Sequence, residues 1–65
     1  MSEHLGHNLK LLCSHYRSIA EVCRKLGLNR AQFNKYLGGQ SRPTPYNLKR
    51  IRDFFGVEEY ELGLP

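Results

Sequence analysis

Only Gly27, Leu28 and Asn29 separate two segments that read as helices, and this spacing leaves the chain few ways to fold. Upstream, Ile19, Val22, Cys23 and Leu26 recur at intervals of three and four; downstream, Phe33, Tyr36 and Leu37 do the same. Gly27 can stop the first helix because glycine takes the left-handed backbone conformation that a Cβ resists. Asn29 can start the second, its side-chain oxygen accepting a backbone N–H of the next turn, with Gln32 three residues on. Joined so tightly, the two helices must cross steeply. The small Cys23, four residues before Gly27, suits their contact, with Val22, Leu26, Leu28, Phe33 and Tyr36 packed around it.

The flanking sequence reads as further helices. Leu5, Leu9, Leu12, Cys13 and Tyr16 share one face of a helix predicted from roughly Glu3 to Tyr16. Ser18-Ile19-Ala20-Glu21 has the capping-box form, in which Ser18 takes an amide of the next turn and Glu21 reaches back to the Ser18 amide. Helix 3, expected over about 30–38, ends at Gly38-Gly39 and gives way to a polar loop, Gln40-Ser41-Arg42-Pro43. Thr44 and Pro45 form an N-cap and first-turn proline pair, opening a helix that turns Leu48, Ile51, Phe54 and Phe55 inward until Gly56. Val57, Tyr60, Leu62 and Leu64 suggest one last short helix. The expected fold is all-α, a compact bundle of five helices in one domain spanning residues 1–65 with the tight turn at its centre.

Charge narrows the function. Ten Lys and Arg against six acids give a net charge of +4, and between Val22 and Arg52 there is no acid at all. Arg24, Lys25, Arg30, Lys35, Arg42, Lys49, Arg50 and Arg52 lie in that stretch, whereas Glu58, Glu59 and Glu61 gather near the end. Such a field suits a phosphate-rich partner. Apolar runs are too short for a membrane span or a secretory leader, so no membrane partner and a cytoplasmic location are expected. With 65 residues the chain has little scaffold for a pocketed active site beside a core, which argues against an enzyme. Cys13 and Cys23 continue apolar stripes and read as small core residues rather than a disulfide. His4, His7 and His15 with Cys13 lack the spacing of a zinc site, so no metal and no cofactor is expected. Cys13, Ser14 and His15 are consecutive on a helix and point apart, so they make no catalytic group.

Taken together, Leu5-Gly6, Leu26-Gly27-Leu28, Gly39-Gln40-Ser41-Arg42-Pro43 and Phe55-Gly56-Val57 resemble the Cro and phage-repressor (XRE-like) type of helix-turn-helix domain over nearly the whole chain. The resemblance implies a lambda-repressor-like bundle that binds double-stranded DNA, with helix 3 in the major groove and Asn29 near a phosphate. A helical wheel points the same way. With Phe33, Tyr36 and Leu37 inward, the outward face centres on Ala31 and Lys35, flanked by Arg30, Gln32 and Asn34. Arg and Lys match the guanine O6 and N7 acceptors, Asn and Gln match adenine N6 and N7, and Ala31 suits a thymine methyl. Phosphate contacts are expected from Ser18, at the N-terminus of helix 2, and from Gln40, Ser41 and Arg42. Arg17, Arg24 and Lys25 would add long-range attraction. Lys49, Arg50 and Arg52 would either do the same or form a solvated face.

The chain departs from the family pattern in several places. Ile19 stands where the family commonly has a Gln that clamps the DNA backbone, and Cys23 where it commonly has Ala. Leu37 replaces a Glu whose Arg partner on helix 1 is also missing, since that region reads Leu11-Leu12-Cys13. An apolar contact in place of an ion pair is expected, a swap that is often neutral or stabilising when both partners go together. The connection between helices 1 and 2 is about one residue shorter than the family norm.

The expected function is sequence-specific reading of duplex DNA for a transcriptional regulator, prokaryotic or phage and associated with the nucleoid. Family members bind two-fold sites as dimers with half-sites about 34 Å apart. This chain is expected to be the N-terminal part of a longer regulator that forms a homodimer, and to be largely monomeric by itself. The alternative from another class is an antitoxin-like protein-interaction module, using Tyr46, Tyr60 and Leu64. RNA is a poor fit, because the aromatics fall mainly at core positions rather than on a stacking surface.

Overall fold

A computed structural model describes residues 2–62 and shows five helices: α1 (Ser2–Cys13), α2 (Ile19–Leu26), α3 (Arg30–Leu37), α4 (Pro45–Phe55) and α5 (Glu59–Leu62). No strand occurs among the described residues. The expected all-α bundle is thus the observed one, and each helix from α2 to α4 begins on its expected cap. Ser18 Oγ accepts from the Glu21 amide at 3.1 Å, Asn29 Oδ1 from the Gln32 amide at 3.1 Å and Thr44 Oγ1 from the Asn47 amide at 3.2 Å. One detail of the capping box differs: Glu21 Oε1 accepts from the amide of Arg17, at 3.0 Å, rather than from that of Ser18.

Gly27 carries the turn. Its φ of 75° is left-handed, and the amides of Gly27 and Leu28 both donate to the Cys23 carbonyl, at 2.8 and 3.1 Å. A second capping motif closes α3: the Gly39 amide donates to Tyr36 O at 3.2 Å and the Gln40 amide to Lys35 O at 2.9 Å, the paired bonds of a Schellman turn. This satisfies carbonyls that a helix end leaves open.

Helix α1 is shorter than its apolar period suggests. The stripe runs on to Tyr16, yet the helix stops at Cys13 and tightens into bonds from the His15 amide to Leu12 O, 3.3 Å, and from the Tyr16 amide to Cys13 O, 2.9 Å. The Ser14 hydroxyl also donates to Leu11 O, competing with the ladder at that point. Tyr16 gains a tertiary seat by leaving the helix. Its ring centroid lies 5.4 Å from that of Phe54 and 5.8 Å from that of Phe55.

The core draws on every helix. Leu5, Leu9 and Cys13 from α1, Val22, Cys23 and Leu26 from α2, Phe33, Tyr36 and Leu37 from α3, Ile51 from α4 and Leu62 from α5 are all buried. No polar or charged residue is buried among the described residues. Leu37 is thus one of the buried apolar residues. Helix α1 packs on α3 so closely that an ideal Cβ on Gly6 would lie 2.5 Å from the Leu37 carbonyl oxygen. Asn8 Nδ2 donates to Leu62 O at 2.7 Å and fastens α5 to α1. Leu12 is partly buried and packs against this core, and Tyr60 is 70% exposed, as Tyr46 is. Leu64 lies outside the described residues.

Both thiols are free and buried. Burial, and then the neighbouring Cys23, pushes the Cys13 thiol from the ordinary 9.0 up to about 11. Burial also pushes Cys23 up, with the Arg30 charge pulling partly back. The fold thus favours the neutral thiol of Cys13. That contribution is fully present below the ordinary value and is lost as the pH climbs towards about 11. Urea unfolding of the native protein is expected to weaken more steeply across this alkaline window than that of Cys13→Ala; parallel declines would show that the thiol contributes nothing.

Candidate nucleic-acid interface

The outward face of α3 is built by what the inner face buries. Phe33 and Tyr36 are 0% and 2% exposed and meet edge-on, with ring centroids 6.2 Å apart. Asn47 Nδ2 donates to the Tyr36 hydroxyl at 3.2 Å, tying the buried phenol to α4. Held from inside, the helix leaves Arg30, Ala31, Asn34 and Lys35 exposed. Eight residues of α-helix span about 12 Å, comparable with the width of a major groove.

Gln32, the fifth residue expected on this face, is half-buried, and its Nε2 donates to Ser41 Oγ at 3.4 Å. This bond joins the start of α3 to the loop after it, bringing the expected base-reading and phosphate-contacting groups together. Gln40 and Arg42 are exposed on either side of Ser41. The Gln40 side chain lies over Gly38, with Oε1 3.8 Å from the position that a Cβ there would take.

Ser18 and Asn29 are exposed but occupied, since each side-chain oxygen caps its helix. What they leave open is backbone. The amides of Ile19 and Ala20 at the start of α2, and of Arg30 and Ala31 at the start of α3, have no partner among the described residues. Near Ser18 there is also an acid: Glu21 sits on the Arg17 amide and reaches Lys25 Nζ at 4.0 Å. Neither contact joins Ser18 to the loop of Gln40–Arg42.

The last basic cluster divides three ways. Lys49 pairs with Asp53 at 2.9 Å on an exposed face, a contact worth little by itself. Arg52 is half-buried, with an Nε that has no partner among the described residues. Arg50 reaches across from α4 and donates from Nη2 to the carbonyl of Leu26, while its Cζ lies 5.7 Å from the centroid of the exposed Tyr46 ring. Sequence reasoning left Arg50 among generic cations. The only local hint was that α2 needs its final carbonyls satisfied, and the partner stands 24 residues away.

Arg30 and Lys35 on α3 and Arg42 in the loop after it are exposed, as are Arg17 and Arg24. No helix among the described residues is long and apolar enough to cross a membrane. A family model described as Helix-turn-helix matches residues 9–62. No curated protein and no solved structure matches the chain.

Proposed function

This chain belongs to the helix-turn-helix family of the Cro and phage-repressor type, a DNA-binding and not an enzymatic family, and from that premise we propose that it is the DNA-reading head of a transcriptional regulator. The observation that carries the reading is the bond between Gln32 and Ser41, which sets the exposed face of α3 and the polar loop side by side. Arg30, Ala31, Asn34 and Lys35 read base edges from the major groove. Gln32 joins them through Oε1, the acceptor that Ser41 leaves open while bracing its amide. Gln40, Ser41 and Arg42, with Ser18 and Asn29 marking the open amides of α2 and α3, hold phosphates and fix the register. The regulator acts in the cytoplasm as a homodimer on a two-fold operator.

The direct test is a titration of ¹⁵N-labelled protein with mixed-sequence duplex at two salt concentrations. Shifts centred on Asn29–Lys35, Ser18–Ala20 and Gln40–Arg42 that fade steeply with salt are expected, because phosphate contacts release counterions. Absence of shifts at low salt, or shifts confined to Tyr46 and α5, would sink the reading and direct attention to a protein partner.

Substitutions separate the two kinds of contact. Lys35→Ala and Asn34→Ala are expected to change which operator is preferred, by ~1–3 kcal/mol at the bases concerned. Arg42→Ala should weaken binding to all sequences alike and flatten the salt dependence by about one unit. Uniform losses from all three variants in a binding selection would overturn these roles.

A further inference from the structure

The basic residues of α4 are natural candidates for the phosphate backbone, yet Arg50 is committed elsewhere. Its Nη2 donates to the carbonyl of Leu26, the last residue of α2, and it does so from a helix 24 residues further along the chain. That carbonyl belongs to the negative end of the α2 dipole, where a guanidinium is well matched. The arginine is half-buried rather than reaching into solvent, and its Cζ lies by the Tyr46 ring. It also occupies the space that a side chain on the turn would need: a Cβ on Gly27 would meet Nη2 at 2.8 Å. The three residues that follow Leu26 set the direction in which α3 departs. Among the hydrogen bonds of the described residues, the Arg50 bond is the one that ties the end of α2, immediately before that turn, to α4.

We propose that Arg50 is a positioning residue for DNA reading, a strut that fixes the angle of α3 from behind and so sets sequence discrimination without touching DNA. The inference rests on the DNA-reading function proposed above. Tyr46 steadies the guanidinium, and the missing Cβ of Gly27 makes room for it. A phosphate ligand would behave differently, because its loss removes a counterion-releasing contact and leaves the geometry of α3 unchanged.

The test compares the native protein with Arg50→Met and Arg50→Lys. Residual dipolar couplings report the orientation of α3 relative to α4, and binding to a selected operator and to mixed-sequence duplex is measured across a range of salt. Arg50→Met is expected to rotate α3 and to lower the preference for the operator by about tenfold, on the order of one bidentate base contact, with the salt slope unchanged. Arg50→Lys, which keeps a donor able to reach Leu26, should recover part of both effects and serves as the readout if the methionine variant fails to fold. A salt slope reduced by about one with the preference intact would make Arg50 a phosphate contact and overturn the proposal. Unchanged couplings in both variants would overturn it as well. The two readings fail separately: if the native protein binds no duplex, the DNA reading falls, while the couplings still decide whether Arg50 orients α3.

Discussion

Gly6→Ala should lower the melting temperature by on the order of 10 °C, although alanine is the better helix former by about 1 kcal/mol. The reason is what a methyl group would meet. An ideal Cβ at Gly6 lies 2.5 Å from the Leu37 carbonyl oxygen and 3.0 Å from that of Tyr36. Both are backbone atoms at the end of α3, so no side-chain rotation relieves the overlap. Either α1 or α3 must move, and overpacking of this kind typically costs about 1–3 kcal/mol, on top of the propensity gain that it cancels. Gly38→Ala provides the opposite sign as a control. Gly38 has a right-handed φ of −84°, and its nearest neighbour to a Cβ is 3.5 Å away. Alanine there should be neutral or stabilising by up to about 1 kcal/mol. Thermal unfolding of the two variants side by side decides the matter; a Gly6→Ala protein as stable as the native one would mean that the close approach of α1 to α3 is not formed in solution.

Phe33→Ala is expected to remove about half or more of the stability of the fold. Phe33 is 0% exposed and belongs to the helix that carries the proposed reading face. Removing a buried phenyl ring costs about 3–5 kcal/mol, while a domain of 65 residues holds a total of only about 3–10 kcal/mol. The expected fall in melting temperature is roughly 15–30 °C. Phe33→Leu, which refills most of the volume, should cost far less. Circular dichroism at 222 nm, a wavelength that reports helix content, would show the loss of the whole bundle rather than of α3 alone, because α3 packs on both α1 and α2. Selective melting of α3 with the other helices intact would contradict that cooperativity.

These two variants bear on the same joint. Gly6 lets α1 approach the C-terminal end of α3, and Phe33 anchors the inner face of that helix. Arg50 supports the turn at its other end. Arg30, Ala31, Asn34 and Lys35 can be exchanged with little penalty to the fold, as each is exposed. Under the proposed DNA-reading function, specificity changes through that surface while the orientation of α3 is set from below.

What the sequence determined by itself was local. Ser18, Asn29 and Thr44 cap helices through bonds spanning three residues, and Gly27 turns the backbone through its own φ. Apolar periodicity marked Val22, Leu26, Phe33, Tyr36 and Ile51 as core, and the same period placed Arg30, Ala31, Asn34 and Lys35 outside. Such features need only neighbours within one helical turn, so they can be read along the chain. Tertiary structure decided the rest. Tyr16 continued the period of α1 yet left the helix, because its ring packs against Phe54 and Phe55 on α4. Gln32 belonged to the outward face yet is braced by Ser41, and Arg50 looked like one cation among several yet caps α2. Each of these contacts joins groups whose distance is set by how helices cross, and crossing angles depend on packing across the whole core rather than on the spacing of residues along one helix.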